Sequence, residues 1–128
     1  MIPKVELLGV QVDSIRLDYL LDEIDCKITN QERFLISHVN VTGLNLAYQI
    51  PWLKDFYNQC DRVYCDGMGV TLGAKLLGNH LPERFTLADW IWKLAERFTQ
   101  NGHTIFLLGG KPGVAQRAAQ NLQSHSPE

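Results

Sequence analysis

Asp66, in the run Arg62-Val63-Tyr64-Cys65-Asp66-Gly67-Met68-Gly69-Val70, is the residue best placed to do chemistry. The run is short and apolar, ends on a carboxylate, and passes through two glycines into a helix-like pattern. Open α/β sheets collect their ligands where strands end, and glycine gives the backbone room to turn there. A carboxylate in such a cleft can take a proton from an attacking hydroxyl. The plainer role for the same pair is an Asp-Gly turn or a helix cap.

Gly109-Gly110-Lys111-Pro112-Gly113 lies between an apolar stretch and a helical pattern. Free backbone N–H groups and a helix dipole at such a turn favour an anion, so a phosphate cradle and a plain β-α turn both fit. The spacing is neither GxGxxG nor GxxxxGK[ST]. Arg84, in a stretch without periodicity, could fork onto a diphosphate or a carboxylate, or stand solvated. Asn40 could bond a sugar or cap the turn that follows it. Asp89 is most simply the second half of a Thr86-x-x-Asp89 capping box. His38, His80, His103 and His125 lack metal-site spacing, and no zinc is expected. Trp52, Trp90 and Trp92 fall in helical segments, where packing is the default role.

The elements that must position these groups follow a repeated pattern. Residues 5–12 alternate weakly around Gly9, which suggests a small hairpin before Asp13 or Ser14 caps a first helix. Apolar positions over residues 15–29 recur at three- and four-residue steps, and Asn30 and Gln31 end that helix. Residues 34–40 read as a buried strand with Asn40 at its end. Thr42 can cap the next helix, and Pro51 predicts a break near Ile50 and a second short helix. After the Asp66 strand, Val70, Gly73, Ala74 and Leu77 form a helix face with small residues for close packing, and Gly78 stops it. Leu87, Ile91, Leu94 and Phe98 mark a helix ending near Gly102. Residues 104–108 read as a third apolar strand, with Pro112 suited to the first position of the last helix. Three strand–turn–helix units predict an α/β fold: a Rossmann-like parallel sheet with helices on both faces, incomplete at the C-terminus. All three turns would open on one sheet edge.

At 128 residues the chain fits one domain, taken as 1–128, and its end after a helix reads as truncation or a fragment of a longer protein. A net charge of −2, with its twelve Lys and Arg scattered, argues against nucleic-acid binding. Three cysteines without a CxxC pair suggest neither a disulfide framework nor zinc, and fit a reduced cytoplasmic setting. No run approaches the ~18 apolar residues of a spanning helix, and no export signal opens the chain.

Taken together, Asn40 after a strand, Cys65-Asp66-Gly67-Met68-Gly69-Val70, Leu81-Pro82-Glu83-Arg84 with Asp89 five residues on, and the segment from Phe106 through Gly109-Gly110 to Ala115 resemble the WecG/TagA/CpsF family of bacterial glycosyltransferases. The resemblance runs from about Leu7 to Pro127. It implies inverting, metal-independent transfer of an N-acetylmannosamine-type sugar or its uronic acid from a UDP-sugar to a polyprenyl-diphosphate-linked acceptor, with no cofactor. The setting it implies is cell-wall, teichoic acid or extracellular polysaccharide synthesis. Carried onto this chain, it makes Asp66 the base, places Asn40 and Arg84 along the pocket, sets Gly109 and Gly110 beside the diphosphate, and counts Gly67 and Asp89 as substrate-binding. Relatives continue well beyond this length and carry a C-terminal membrane-docking segment, so peripheral contact with the inner face of the cell membrane is implied, and a homo-oligomer is compatible. His38-Val39 replaces the family's usual Thr-Pro, and Leu87 replaces a glycine, departures that bear on acceptor or sugar preference more than on fold. A non-catalytic nucleotide- or phosphosugar-binding domain, or an inactive fragment, is the alternative. A dinucleotide oxidoreductase is disfavoured because no GxGxxG follows the first strand. An assembly domain without catalysis would leave Asp66 dispensable.

Overall fold

The structure is a computed structural model that describes residues 2–82 and 84–125. Glu83 of the Leu81–Arg84 motif, and Ser126, Pro127 and Glu128 at the chain end, lie outside the described residues. The chain divides into two units, Met1–Thr86 and Leu87–Glu128.

The first unit opens with β1 (Lys4–Leu7) and β2 (Val10–Asp13), paired antiparallel with Leu7 opposite Val10. Leu8 and Gly9 both have positive φ, +51° and +83°. Two such residues make the tight turn whose twist matches a hairpin, so the expected hairpin forms, with a leucine tolerating the left-handed region at its tip. The first helix, α1 (Leu17–Thr29), buries Leu17, Leu20, Leu21 and Ile24. Its start differs from the sequence reading. Arg16 occupies the cap position without a side-chain bond. Asp13 is instead buried, its Oδ2 accepting from the Val63 amide at 2.8 Å, and the Ser14 hydroxyl donates to the His80 carbonyl at 3.3 Å. Both candidate caps are spent on tying the hairpin to the rest of the unit.

Next, β3 (Ile36–Val39) and β4 (Arg62–Cys65) pair in parallel, with His38 opposite Tyr64 and Val39 opposite Cys65. Parallel neighbours need a crossover, and here two helices supply it, α2 (Val41–Gln49) and α3 (Pro51–Gln59). The break falls at Ile50, with Pro51 in the first turn of α3, as its fixed φ favours. Trp52, expected to pack, is 69% exposed, and α3 has no fully buried residue. Val39, Leu44, Ala47, Val63, Cys65, Val70 and Ala74 join the hairpin valines in one core. After β4, α4 (Met68–Leu76) buries Val70 and Ala74. It stops as expected at Gly78, where φ is +76° and the amides of Gly78 and Asn79 bond back to the carbonyls of Lys75 and Ala74. Leu77, placed by its spacing on the packed face, is exposed.

The second unit holds α5 (Leu87–Asn101) and α6 (Val114–His125). In α5, Trp90, Ala95 and Phe98 are buried, whereas Leu87, the first residue of the expected stripe, is exposed. Residues 104–108 carry no strand pairing among the described residues, so the expected third strand is extended chain without a ladder. The alternation of a strand persists all the same. Ile105 and Leu107 are half-buried and share a hollow of about 220 Å³ with Ala95, Phe98, Ala119 and Leu122, while Phe106 and Leu108 are 85% and 91% exposed. Pro112 stands two residues before α6, in the turn, not at its first position. The fold is therefore mixed α/β with a two-stranded parallel sheet and a separate hairpin among the described residues.

Candidate functional site

Side chains two residues apart on a strand share a face, so the parallel pairing of His38 with Tyr64 sets the order of the site. His38 and Tyr64 lie on one face, and the next residues on that face are Asn40 and Asp66, just beyond the ladder. The Asp66 amide donates to the Val39 carbonyl at 2.8 Å and extends the strand pairing by one bond. Val39 and Cys65, pointing the other way, are sealed in the core at no more than 2% exposure. The register that buries those two puts Asp66 on the opposite face, beyond buried Tyr64.

Gly67 makes the turn. Its φ of +134° and ψ of +148° lie in a region that side-chain-bearing residues rarely occupy, and it caps the start of α4. A Cβ there would stand 3.9 Å from the Asn40 Cβ, so Gly67 and Asn40 are neighbours across the strand ends. The Gly67 carbonyl accepts from the Thr71 hydroxyl at 3.4 Å, and the Cys65 thiol approaches the same carbonyl and the Thr71 hydroxyl, each at 3.4 Å. Burial pushes the Cys65 thiol above its ordinary value, with the Asp66 charge adding to the effect.

Asn40 performs the capping half of its two expected roles. Its Oδ1 accepts from the Gly43 amide at 2.8 Å at the start of α2, the place assigned from sequence to Thr42, which lies within the first turn. Two glycines let the helices close in around this point. A Cβ on Gly43 would meet the Tyr57 hydroxyl at 2.9 Å, and one on Gly69 would meet Val41 Cγ2 at 2.4 Å. Gly73, expected to be the close-packing glycine, has nothing within 4 Å of such a Cβ.

The Asp66 side chain is 21% exposed, and its Oδ2 stands 3.6 Å from His38 Nε2. The His38 ring leans on Tyr64, with centroids 5.7 Å apart, and Tyr64 stacks on Phe85 at 4.6 Å. The Phe85 amide donates to the Cys65 carbonyl at 3.3 Å. That bond fastens the otherwise irregular link to the end of β4, so exposed Arg84 joins the chain one residue from an anchor that itself adjoins Asp66.

Among the sequence candidates, then, Asn40, Asp66 and Gly67 meet at the ends of β3 and β4, with Arg84 tethered beside them. Asp89, Gly109 and Gly110 belong to the second unit. Asp89 lies in the first turn of α5, where a carboxylate complements the helix dipole. Gly109 and Gly110 have φ of +125° and +78°, so the backbone before α6 needs glycine at both positions. A Cβ on Gly110 would meet Val114 at 3.1 Å, whereas one on Gly109 would meet nothing within 4 Å. His38 is a site residue that sequence reasoning misses, since by sequence it stands out only as a histidine without metal-site spacing and as a departure from the family pattern. Its position two residues before Asn40 was the available signal, since that spacing puts both on one strand face.

The parallel strand pair thus ends in a carboxylate, an amide and a glycine turn, within a mixed α/β fold, and strand ends are where open α/β sheets collect ligands. Residues 5–128 match the model of the Glycosyl transferase WecG/TagA/CpsF family, and the chain belongs to that family. It is accordingly a glycosyltransferase in the general sense. A search among curated proteins finds no match to the chain. Among the described residues, no helix is long and apolar enough to cross a membrane.

Proposed function

We infer that the protein transfers a sugar, of N-acetylmannosamine type or a related hexose or uronic acid, from a UDP-sugar to a polyprenyl-diphosphate-linked saccharide. The reaction is an inverting single displacement in cell-wall or extracellular polysaccharide synthesis, at the inner face of the membrane that holds the lipid acceptor. The observation that carries this reading is the Asp66 carboxylate, half-sheltered at the end of β4 with Gly67 turning the backbone away beside it. Asp66 takes the proton of the acceptor hydroxyl as its oxygen bonds to the anomeric carbon. The bond from that carbon to UDP breaks, and its electron pair leaves on the diphosphate. Charge building on the diphosphate calls for fixed donors, which the Gly109–Gly110 backbone and the Arg84 guanidinium would supply. Asn40, Gly67 and Asp89 would line the sugar and acceptor sites. In this reading residues 104–108 add a strand to a Rossmann-like parallel sheet with helices on both faces.

Titration with UDP and a UDP-sugar, followed by a transfer assay on a soluble polyprenyl-diphosphate acceptor analogue, tests the proposal. Saturable UDP-sugar binding with turnover is expected. Binding without turnover favours a non-catalytic nucleotide- or phosphosugar-binding role, and absence of binding contradicts both.

A further inference from the structure

His38 faces Asp66 by construction. Its cross-strand partner is Tyr64, and Asp66 is the next residue on that face, the diagonal neighbour that a long or aromatic side chain can reach. Nε2 stands 3.6 Å from Oδ2, beyond a formed hydrogen bond but within ion-pair range, and such contacts between reacting groups often tighten once substrate is bound. The ring leans on Tyr64, which is buried and stacked on Phe85. The titratable groups on this face of β4 are Tyr64 and Arg62, with Asp66 just past its end, and Arg62 is engaged by Glu23 of α1 through bonds of 2.8 and 2.6 Å.

We propose that His38 and Asp66 act as a dyad in which His38 receives, through Asp66, the proton of the acceptor hydroxyl. The inference rests on the assignment of Asp66 as the base. As the acceptor oxygen bonds to the anomeric carbon and the diphosphate leaves with the electron pair, the hydroxyl proton moves to Asp66 and from Oδ2 to the facing Nε2. The carboxylate is restored and the imidazole becomes imidazolium, in the tautomer where Nδ1 already carries a hydrogen. An imidazole nitrogen is a stronger base than a carboxylate oxygen, so passing the proton onward favours its removal from the acceptor. With the His38 side chain half exposed, the imidazolium returns the proton to water before the next turnover. His38 acts through Asp66 and is a positioning residue in the machinery, not a group that touches substrate.

Two substitutions and a spectroscopic readout test this. His38→Gln keeps a polar side chain, and His38→Phe keeps the ring against Tyr64; both should lower kcat about tenfold or more with little change in the donor KM. The acid side of the kcat–pH profile should differ between wild type and His38→Gln, because an imidazolium cannot accept the proton. An unchanged profile and kcat in His38→Gln overturn the dyad. Asp66→Asn, assayed alongside, keeps the two claims apart: turnover that survives it contradicts the base assignment, whereas turnover that vanishes only there contradicts His38 alone. Independently of activity, the ¹⁵N signal of His38 Nε2 should move between wild type and Asp66→Asn at fixed pH. Identical signals overturn the contact.

Discussion

Asp13 shows how a single residue read as one thing can serve another. By spacing it could cap α1, but its carboxylate is buried at the end of β2, accepts the Val63 amide, and stands 3.9 Å from Lys4 Nζ and 3.8 Å from Arg62. Burial raises its pKa, and the Val63 bond and the two cations only partly offset that. A raised folded-state value means the native chain holds this proton more tightly than the unfolded chain does. The stability it contributes is therefore full below the ordinary carboxylate value of 3.8 and is lost as pH rises through the folded value. Asp13→Asn keeps an oxygen for the Val63 amide and should remove that loss, which urea midpoints measured across the acid range would reveal as a flatter pH dependence. Asp13→Ala leaves the amide unanswered and should cost about 1–3 kcal/mol at any pH. The residues that carry the candidate site were more legible. Asp66 and Asn40 stand at strand ends in the sequence, and strand ends are fixed by apolar runs, whereas the His38 contact depends on register between two strands and cannot be read from either alone.

At the scale of elements, the glycines around the site divide into those held by dihedral angle and those held by space. Gly67 sits at φ +134°, so Gly67→Ala should cost about 1–3 kcal/mol in backbone strain and displace the start of α4 from Asp66. Gly69→Ala puts a methyl 2.4 Å from Val41 Cγ2 and should cost about 1–3 kcal/mol by overpacking α4 against the start of α2. Gly73→Ala, with open space at the same helix, should be neutral or slightly stabilising by about 0.5–1 kcal/mol. Thermal or urea unfolding of the three variants gives the ranking directly. Periodicity and punctuation located most elements correctly: the hairpin at Leu8-Gly9, the break at Pro51 and the stop at Gly78 are all local chemistry. Helix starts were less legible, because Asn40 and Arg16 took cap positions that Thr42 and Asp13 or Ser14 also suited. That choice is made by tertiary bonds such as Asp13 to Val63, which local sequence does not contain.

For the whole molecule, residues 104–108 are the place where sequence and structure differ most. Their composition is that of a buried strand, and Ile105 and Leu107 do turn inward toward α5 and α6, yet no ladder forms among the described residues. A strand's pairing depends on a neighbour's edge, so composition alone fixes its faces without fixing its partner. If these residues complete a parallel sheet, as the proposed fold requires, their amides should exchange with solvent as slowly as those of β3 and β4. Exchange as fast as in the 109–113 turn would leave the sheet at two parallel strands. Family membership covers both units, since the match spans residues 5–128. The activity proposed for them nevertheless turns on one carboxylate. Turnover of a UDP-sugar by Asp66→Asn, compared with wild type at matched donor binding, tests that claim most directly. If Asp66 is the base, kcat should fall about a hundredfold or more with donor affinity kept; undiminished turnover would rule that role out.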